Sequence, residues 1–279
     1  MRNIKKGFDW RLVKPFQSWL KGLKLYSVPG RCEASFYLEN EILDDELRAI
    51  ETCRNVRIVG SFEALMATRF EGDVNALCWP RRLPGDFQEV IDRLGVDDGM
   101  TTIGDDDLRA LVLSPAGCVA REVLLADQAL LRGQGLEPIL DCITGYPRDV
   151  CVGPVPTDVY SFHTDSATVP ADTFLCTYIG RPSEGLANDM AVRRVEVGET
   201  RAQLLELYGG ADDLDFAAYL NENCLDLHYW PRPGAQPYSF GTGNLWRIAI
   251  ACPDSSVLPC IHRAPVMLPG DPARLLLIS

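Results

Sequence analysis

After about residue 138 the chain breaks into short β-type runs punctuated by glycine and proline: 158–163, 174–179, 238–240, 245–251, 260–264 and 274–278. This texture predicts an antiparallel sandwich or jelly roll and argues against a parallel sheet. Residues 199–227 interrupt it with a helical pattern containing Leu204, Leu205, Leu207, Phe216 and Tyr219. No internal repeat or low-complexity tract is visible.

Residues 40–135 read mainly as helices. Asp44–Ile50 starts acidic, as a first helical turn prefers. Ser61 offers a cap to Phe62-Glu63-Ala64, and Val90, Ile91 and Leu94 recur at helical spacing after Pro84-Gly85-Asp86-Phe87. The clearest helix spans 116–132, with Val119, Val123, Leu124, Ala126, Leu130 and Leu131 ahead of Gly133 and Gly135. Asn75–Arg82 is too short and proline-bound for a helix and reads as a strand running into a loop. The fold class expected is therefore α+β. It divides into a basic arm (1–24), a mainly helical region (25–150) and a β-rich core (151–279) with a helical insertion at about 199–227.

At 279 residues and 47% hydrophobic, the chain can bury a sizeable core. No apolar run reaches the roughly 20 residues of a membrane helix, and a net charge of −12 argues against a nucleic-acid binder. The charge is uneven: all five lysines lie within residues 1–24, giving that arm +6 and the remainder −18. The arm is expected to dock on the acidic body or to bind a partner. The ten cysteines include no C-x-x-C pair, and the start has no uninterrupted apolar segment of the secretory type. The expected setting is a reducing cytoplasm with free thiols.

Only three histidines are present, and two stand where metal chemistry would use them. In His163-Thr164-Asp165 the imidazole and carboxylate are two residues apart at the end of a β-type run, so both point the same way. His262 follows 97 residues after Asp165 on another short run. Together they would hold one face of a metal and leave the other positions open. His228 has no carboxylate in that arrangement and reads as a packed or substrate-facing histidine. A Pro269-Gly270-Asp271-Pro272 turn then leads into Arg274, twelve residues after His262. Arginine at the start of that strand can make a bidentate pair with a carboxylate held one molecule's length from the metal. Arg263, adjacent to His262, would face away.

H-x-D, a distal histidine and an arginine after a short turn resemble the iron(II)/2-oxoglutarate-dependent oxygenases over roughly residues 155–279. Ser161-Phe162-His163-Thr164-Asp165, Leu175-Cys176-Thr177-Tyr178-Ile179-Gly180, His262-Arg263-Ala264-Pro265 and Arg274-Leu275-Leu276-Leu277 also resemble the uncharacterised bacterial DUF1826 family. That likeness extends to Asn75 and Trp79. The chain departs from the pattern in a longer stretch after Asp165, in lacking a tryptophan after Ser183-Glu184-Gly185, and in the insertion 199–235. The resemblance implies a double-stranded β-helix (jelly roll, cupin-like). It also implies Fe(II) held by His163, Asp165 and His262, and 2-oxoglutarate bound at its distal carboxylate by Arg274. Tyr178, Trp246 and Arg247, on neighbouring strands, would line the pocket, Tyr178 and Arg247 on the cofactor side. Retention of Asp165 implies hydroxylation over halogenation of a small-molecule or peptide substrate.

Two other readings use the same residues. A cupin-like protein could hold a divalent ion in the triad without 2-oxoglutarate, in which case Arg274 would have no anion to bind. A non-catalytic binding module would instead work through the arm 1–24 and the aromatic segment 229–240.

Overall fold

The structure, a computed structural model, describes residues 48–279 except 97, 149–152 and 269. The arm 1–24, most of Asp44–Ile50, Cys32 and Cys151 lie outside the described residues. Among those described, no helix is long and apolar enough to cross a membrane.

In chain order the elements are β1 (Val56–Ile58), α1 (Phe62–Ala67), β2 (Ala76–Trp79), α2 (Phe87–Leu94), β3 (Met100–Thr102), α3 (Asp105–Ala110), α4 (Pro115–Arg132) and β4 (Ile139–Ile143). There follow β5 (Phe162–His163), β6 (Asp172–Ile179), β7 (Glu184–Leu186), β8 (Ala191–Arg193), α5 (Gly198–Tyr208) and α6 (Leu214–Glu222). The chain closes with β9 (His228–Pro231), β10 (Tyr238–Ser239), β11 (Leu245–Ala249), β12 (Ile261–Arg263) and β13 (Arg274–Ile278).

The helices start where local chemistry allows. Ser61, Asp86 and Ser114 each accept from a backbone N–H in the first turn of α1, α2 and α4, satisfying a donor that has no intrahelical partner. Pro115 then stands at the first position of α4, where its missing N–H costs nothing. Along α4, Ala120, Val123, Leu124 and Leu131 are buried at three- and four-residue spacing. They pack with Val90, Ile91, Leu77, Phe174, Cys176, Leu275 and Leu277. Gly85, at φ +114, lets the loop before α2 press on this helix; a Cβ there would lie 2.4 Å from the Ala120 nitrogen.

The strands form two sheets. The larger runs β1-β2-β11-β6-β13-β4-β3 and is antiparallel except for β1–β2; the smaller, antiparallel throughout, runs β10-β7-β12-β5-β9-β8. From β4 to β7 the chain alternates between larger and smaller sheet, and from β10 to β13 it alternates again, beginning in the smaller. Alternation of side chains along each strand sorts the larger sheet into two buried faces. Phe174, Cys176, Tyr178, Leu275 and Leu277 face the helices. Leu175, Trp246, Ile248 and Leu276 face inward and pack with Tyr238, Phe240 and Cys260.

Several sequence readings need revising. Strands from the first half, β1 to β4, join the larger sheet, so the region before residue 150 combines four strands with its helices. Asp158–Ser161 is a turn, and β5 itself is only two residues long. The insertion holds two helices around Leu204, Phe216 and Leu220, but Leu207 is 65% exposed. The chain on either side of it supplies β8 before and β9 after, and these extend the smaller sheet beside β5. Cys53, Cys78, Cys118, Cys142, Cys176, Cys224, Cys252 and Cys260 are free thiols.

Candidate metal centre

His163 and His262 are direct cross-strand partners on β5 and β12, so their rings share the inner face of the smaller sheet, with centroids 4.6 Å apart. Asp165 follows His163 by two residues, and its backbone carbonyl accepts from Ala251 at 2.8 Å, which fixes the exit of β5. The Asp165 Oδ1 lies 4.0 Å from His163 Nε2 and 3.7 Å from His262 Nε2. One donor atom from each of the three residues falls within 4.8 Å of the others. Donors at right angles around one ion, each about 2.1 Å from it, lie about 3 Å apart. The carboxylate–imidazole distances are therefore about 1 Å wider than in a closed set.

The surroundings prepare each donor. His163 Nδ1 lies 2.7 Å from the Ser161 carbonyl, and His262 Nδ1 lies 3.3 Å from that of Cys260. A carbonyl only accepts, so Nδ1 carries a proton in both rings and Nε2 is the nitrogen turned toward Asp165. Burial, reinforced by the neighbouring His262, pushes His163 down to about 4, so the ring is neutral near pH 7. For Asp165 burial favours the neutral form. His262, the 2.7 Å hydrogen bond from Thr173 Oγ1 and His163 outweigh it and hold the carboxyl below its usual range. Two imidazoles and one carboxylate suit a borderline divalent cation, so the donor set fits a metal.

Arg274 opens β13 on the inner face, 1% exposed. Its Nη1 donates to Tyr146 Oη at 2.6 Å, and its Nη2 donates to Thr177 Oγ1 at 3.0 Å and Ser183 Oγ at 2.6 Å. Its Nε is buried without a partner, and among the described residues no carboxylate forms an ion pair with it. Burial lowers the pKa of the guanidinium. Gly180, at φ +85, makes the close approach possible: a Cβ there would lie 2.8 Å from the Arg274 Cα. The inner face of β6 links the two groups, since Thr173 holds Asp165 and Thr177 holds Arg274. The Cα atoms of Thr173 and Thr177, four residues apart on the strand, are separated by about 13 Å.

Other sequence candidates lie elsewhere. Tyr178 is one residue from Thr177 and so faces the helices, where its hydroxyl donates to Asp127 Oδ2 at 2.8 Å. Asp127 in turn pairs with buried Arg81 at 2.7 Å. Arg247 likewise faces outward, pairing with Asp172 and donating to the Leu65, Met66 and Thr68 carbonyls at the end of α1. Neither reaches the triad, and the cofactor-side roles expected for Tyr178 and Arg247 are corrected to structural ones. Trp246 does face inward, stacked 4.3 Å from Phe240, which lies 6.5 Å from His262. Asn75 is buried, whereas Trp79 packs against Phe62 under the Arg81 guanidinium. Arg263 pairs with Glu184 on the outer face, as its position beside His262 requires. His228, 5% exposed, is the cross-strand partner of His163, with ring centroids 5.8 Å apart, and stands outside the donor set.

A phenylalanine at position 178 should cost about 1–3 kcal/mol, because Asp127 loses a buried donor. In a denaturant titration Tyr178→Phe should show that loss while metal and 2-oxoglutarate binding stay at wild-type level; impaired co-substrate binding would return Tyr178 to the site. Thr173, Tyr146, Thr177 and Ser183 were not singled out from the sequence. Thr173 and Thr177 alternate with Leu175, a signal that becomes readable only once the inner face of β6 is known. Two surface cavities, of about 320 Å³ beside Asp172 and Ala249 and about 390 Å³ against α2, do not include the triad. Comparison of the chain with protein-family models, curated proteins and solved structures finds no match.

Proposed function

We propose that this chain is a non-haem iron(II)/2-oxoglutarate-dependent oxygenase that hydroxylates a small-molecule or peptide substrate inside a double-stranded β-helix. The alternation of β4–β7 and β10–β13 between two sheets, with His–x–Asp after β5 and the distal histidine on β12, supports the jelly-roll assignment. The observation that carries the reading is the pairing of a His–Asp–His donor set with a buried, acid-free guanidinium, both tied to the inner face of β6. A buried cation without a counter-charge is costly and calls for an anion from outside. 2-Oxoglutarate would supply that anion, its oxo-acid end meeting the ion at the triad and its far carboxylate meeting Arg274.

In that scheme His163, His262 and Asp165 would hold the ion. The Ser161 and Cys260 carbonyls keep the imidazoles aimed, and Thr173 orients the carboxylate. Tyr146, Thr177 and Ser183 hold the guanidinium in place, while Leu175, Phe240 and Trp246 keep the interior dry. Iron(II) held there supplies oxygen activation coupled to decarboxylation of 2-oxoglutarate. The eight free thiols among the described residues support a reducing, cytoplasmic setting.

Equilibrium binding of 2-oxoglutarate to protein loaded with Mn(II) tests the reading. Binding that requires both metal and Arg274 is expected. Metal binding with no affinity for 2-oxoglutarate would replace it with the cupin-like metal protein.

A further inference from the structure

Three asparagines from distant parts of the chain meet beside the segment that leads into β12. The side-chain amide of Asn75 donates through Nδ2 to Asn188 Oδ1 at 2.7 Å and to the carbonyls of Leu258 and Pro259 at 3.1 and 3.2 Å. It accepts from Asn55 Nδ2 at 3.2 Å. Asn188 Nδ2 donates to the same Pro259 carbonyl at 3.0 Å, and Asn55 Nδ2 also reaches the Tyr238 hydroxyl at 3.0 Å. Pro259 has no N–H, so regular pairing cannot begin there, and side-chain amides take the place of a strand ladder. The next residue, Cys260, donates its N–H to Ala249 and offers its carbonyl to His262 Nδ1.

We propose that Asn75, assisted by Asn188, is a positioning residue for the metal centre. By clamping the Leu258 and Pro259 carbonyls it sets the entry of β12 and so the place of His262 opposite His163 and Asp165. The inference rests on reading the triad as a metal site. Asparagine suits the task chemically, because its amide donates twice and accepts as well; aspartate would only accept, and leucine would do neither. Loss of a ligand's direct hydrogen-bond partner typically costs about 10- to 100-fold in metal affinity; Asn75 acts one step further out, by setting the backbone that carries the Cys260 carbonyl bonded to His262.

The test uses Co(II) as probe, with affinity and ligand-field spectrum as readouts, on the full chain. Asn75→Ala should bind Co(II) about 10-fold more weakly, the lower end of that range, and with shifted bands. Asn188→Ala should move both readouts in the same direction by less. Leu108→Ala, a cavity variant in the buried helical layer, should lower the thermal midpoint and leave Co(II) affinity and spectrum unchanged. Wild-type affinity and bands in Asn75→Ala would overturn the proposal; should that variant not fold, the same readouts on Asn188→Ala decide. A wild-type protein that binds no Co(II) would remove the metal reading itself. Wild-type binding matched by the variants would remove only the role of Asn75.

Discussion

Asp165→Ala should lower iron(II) affinity by about 100- to 1,000-fold while the protein remains folded. Structural sites with four ligands bind with roughly 10–16 kcal/mol, so each ligand contributes about 2.5–4 kcal/mol. Asp165 is also the only anion in the donor set, and two neutral imidazoles alone leave the cation's charge uncompensated. Its side chain is 30% exposed and bonds only Thr173 directly, so its removal opens no large cavity in the core. Isothermal titration with Mn(II), alongside circular dichroism, measures both parts. Unchanged affinity would mean that the ion sits elsewhere.

Arg274→Ala should weaken 2-oxoglutarate binding by about 30- to 1,000-fold and leave metal affinity nearly unchanged. A charged hydrogen-bond pair buried away from water is worth roughly 2–4 kcal/mol. The guanidinium already stands desolvated, held by three hydroxyls and lacking a carboxylate, so an incoming anion meets a preorganised partner. The apo protein bears the cost of that isolated charge. In the wild type, metal with 2-oxoglutarate should therefore raise the thermal midpoint beyond metal alone, by the usual linkage of ligand binding to stability. The variant should lose that increment. An Arg274→Ala protein that binds 2-oxoglutarate normally would end the co-substrate assignment.

The donor set was legible because it needs only two local facts: residues two apart on an extended chain share a face, and a short apolar run carries His262. Arg274 was legible from the turn before it. Tyr178 and Arg247 were misplaced because β6 and β11 are buried on both sides, by helices on one and the smaller sheet on the other. A strand buried on both faces lacks the polar–apolar alternation that marks its inner side, and a shift of one exchanges Tyr178 for Thr177 and Arg247 for Trp246. The helices around α2 and α4 were readable from caps and spacing. β8 and β9 were not, since they are short strands flanking the insertion, and the pairing of β9 with β5 joins residues more than sixty apart in the chain. That pairing also brings His228 beside His163, leaving the chain's three histidines in one row across β12, β5 and β9.

Anaerobic titration of the wild-type protein with iron(II), with and without 2-oxoglutarate, tests the central claim most directly. A weak visible charge-transfer absorption should appear only when both are present, saturate at one equivalent of iron, and be absent from Asp165→Ala. Iron bound at the triad with no such band and no measurable affinity for 2-oxoglutarate would contradict it.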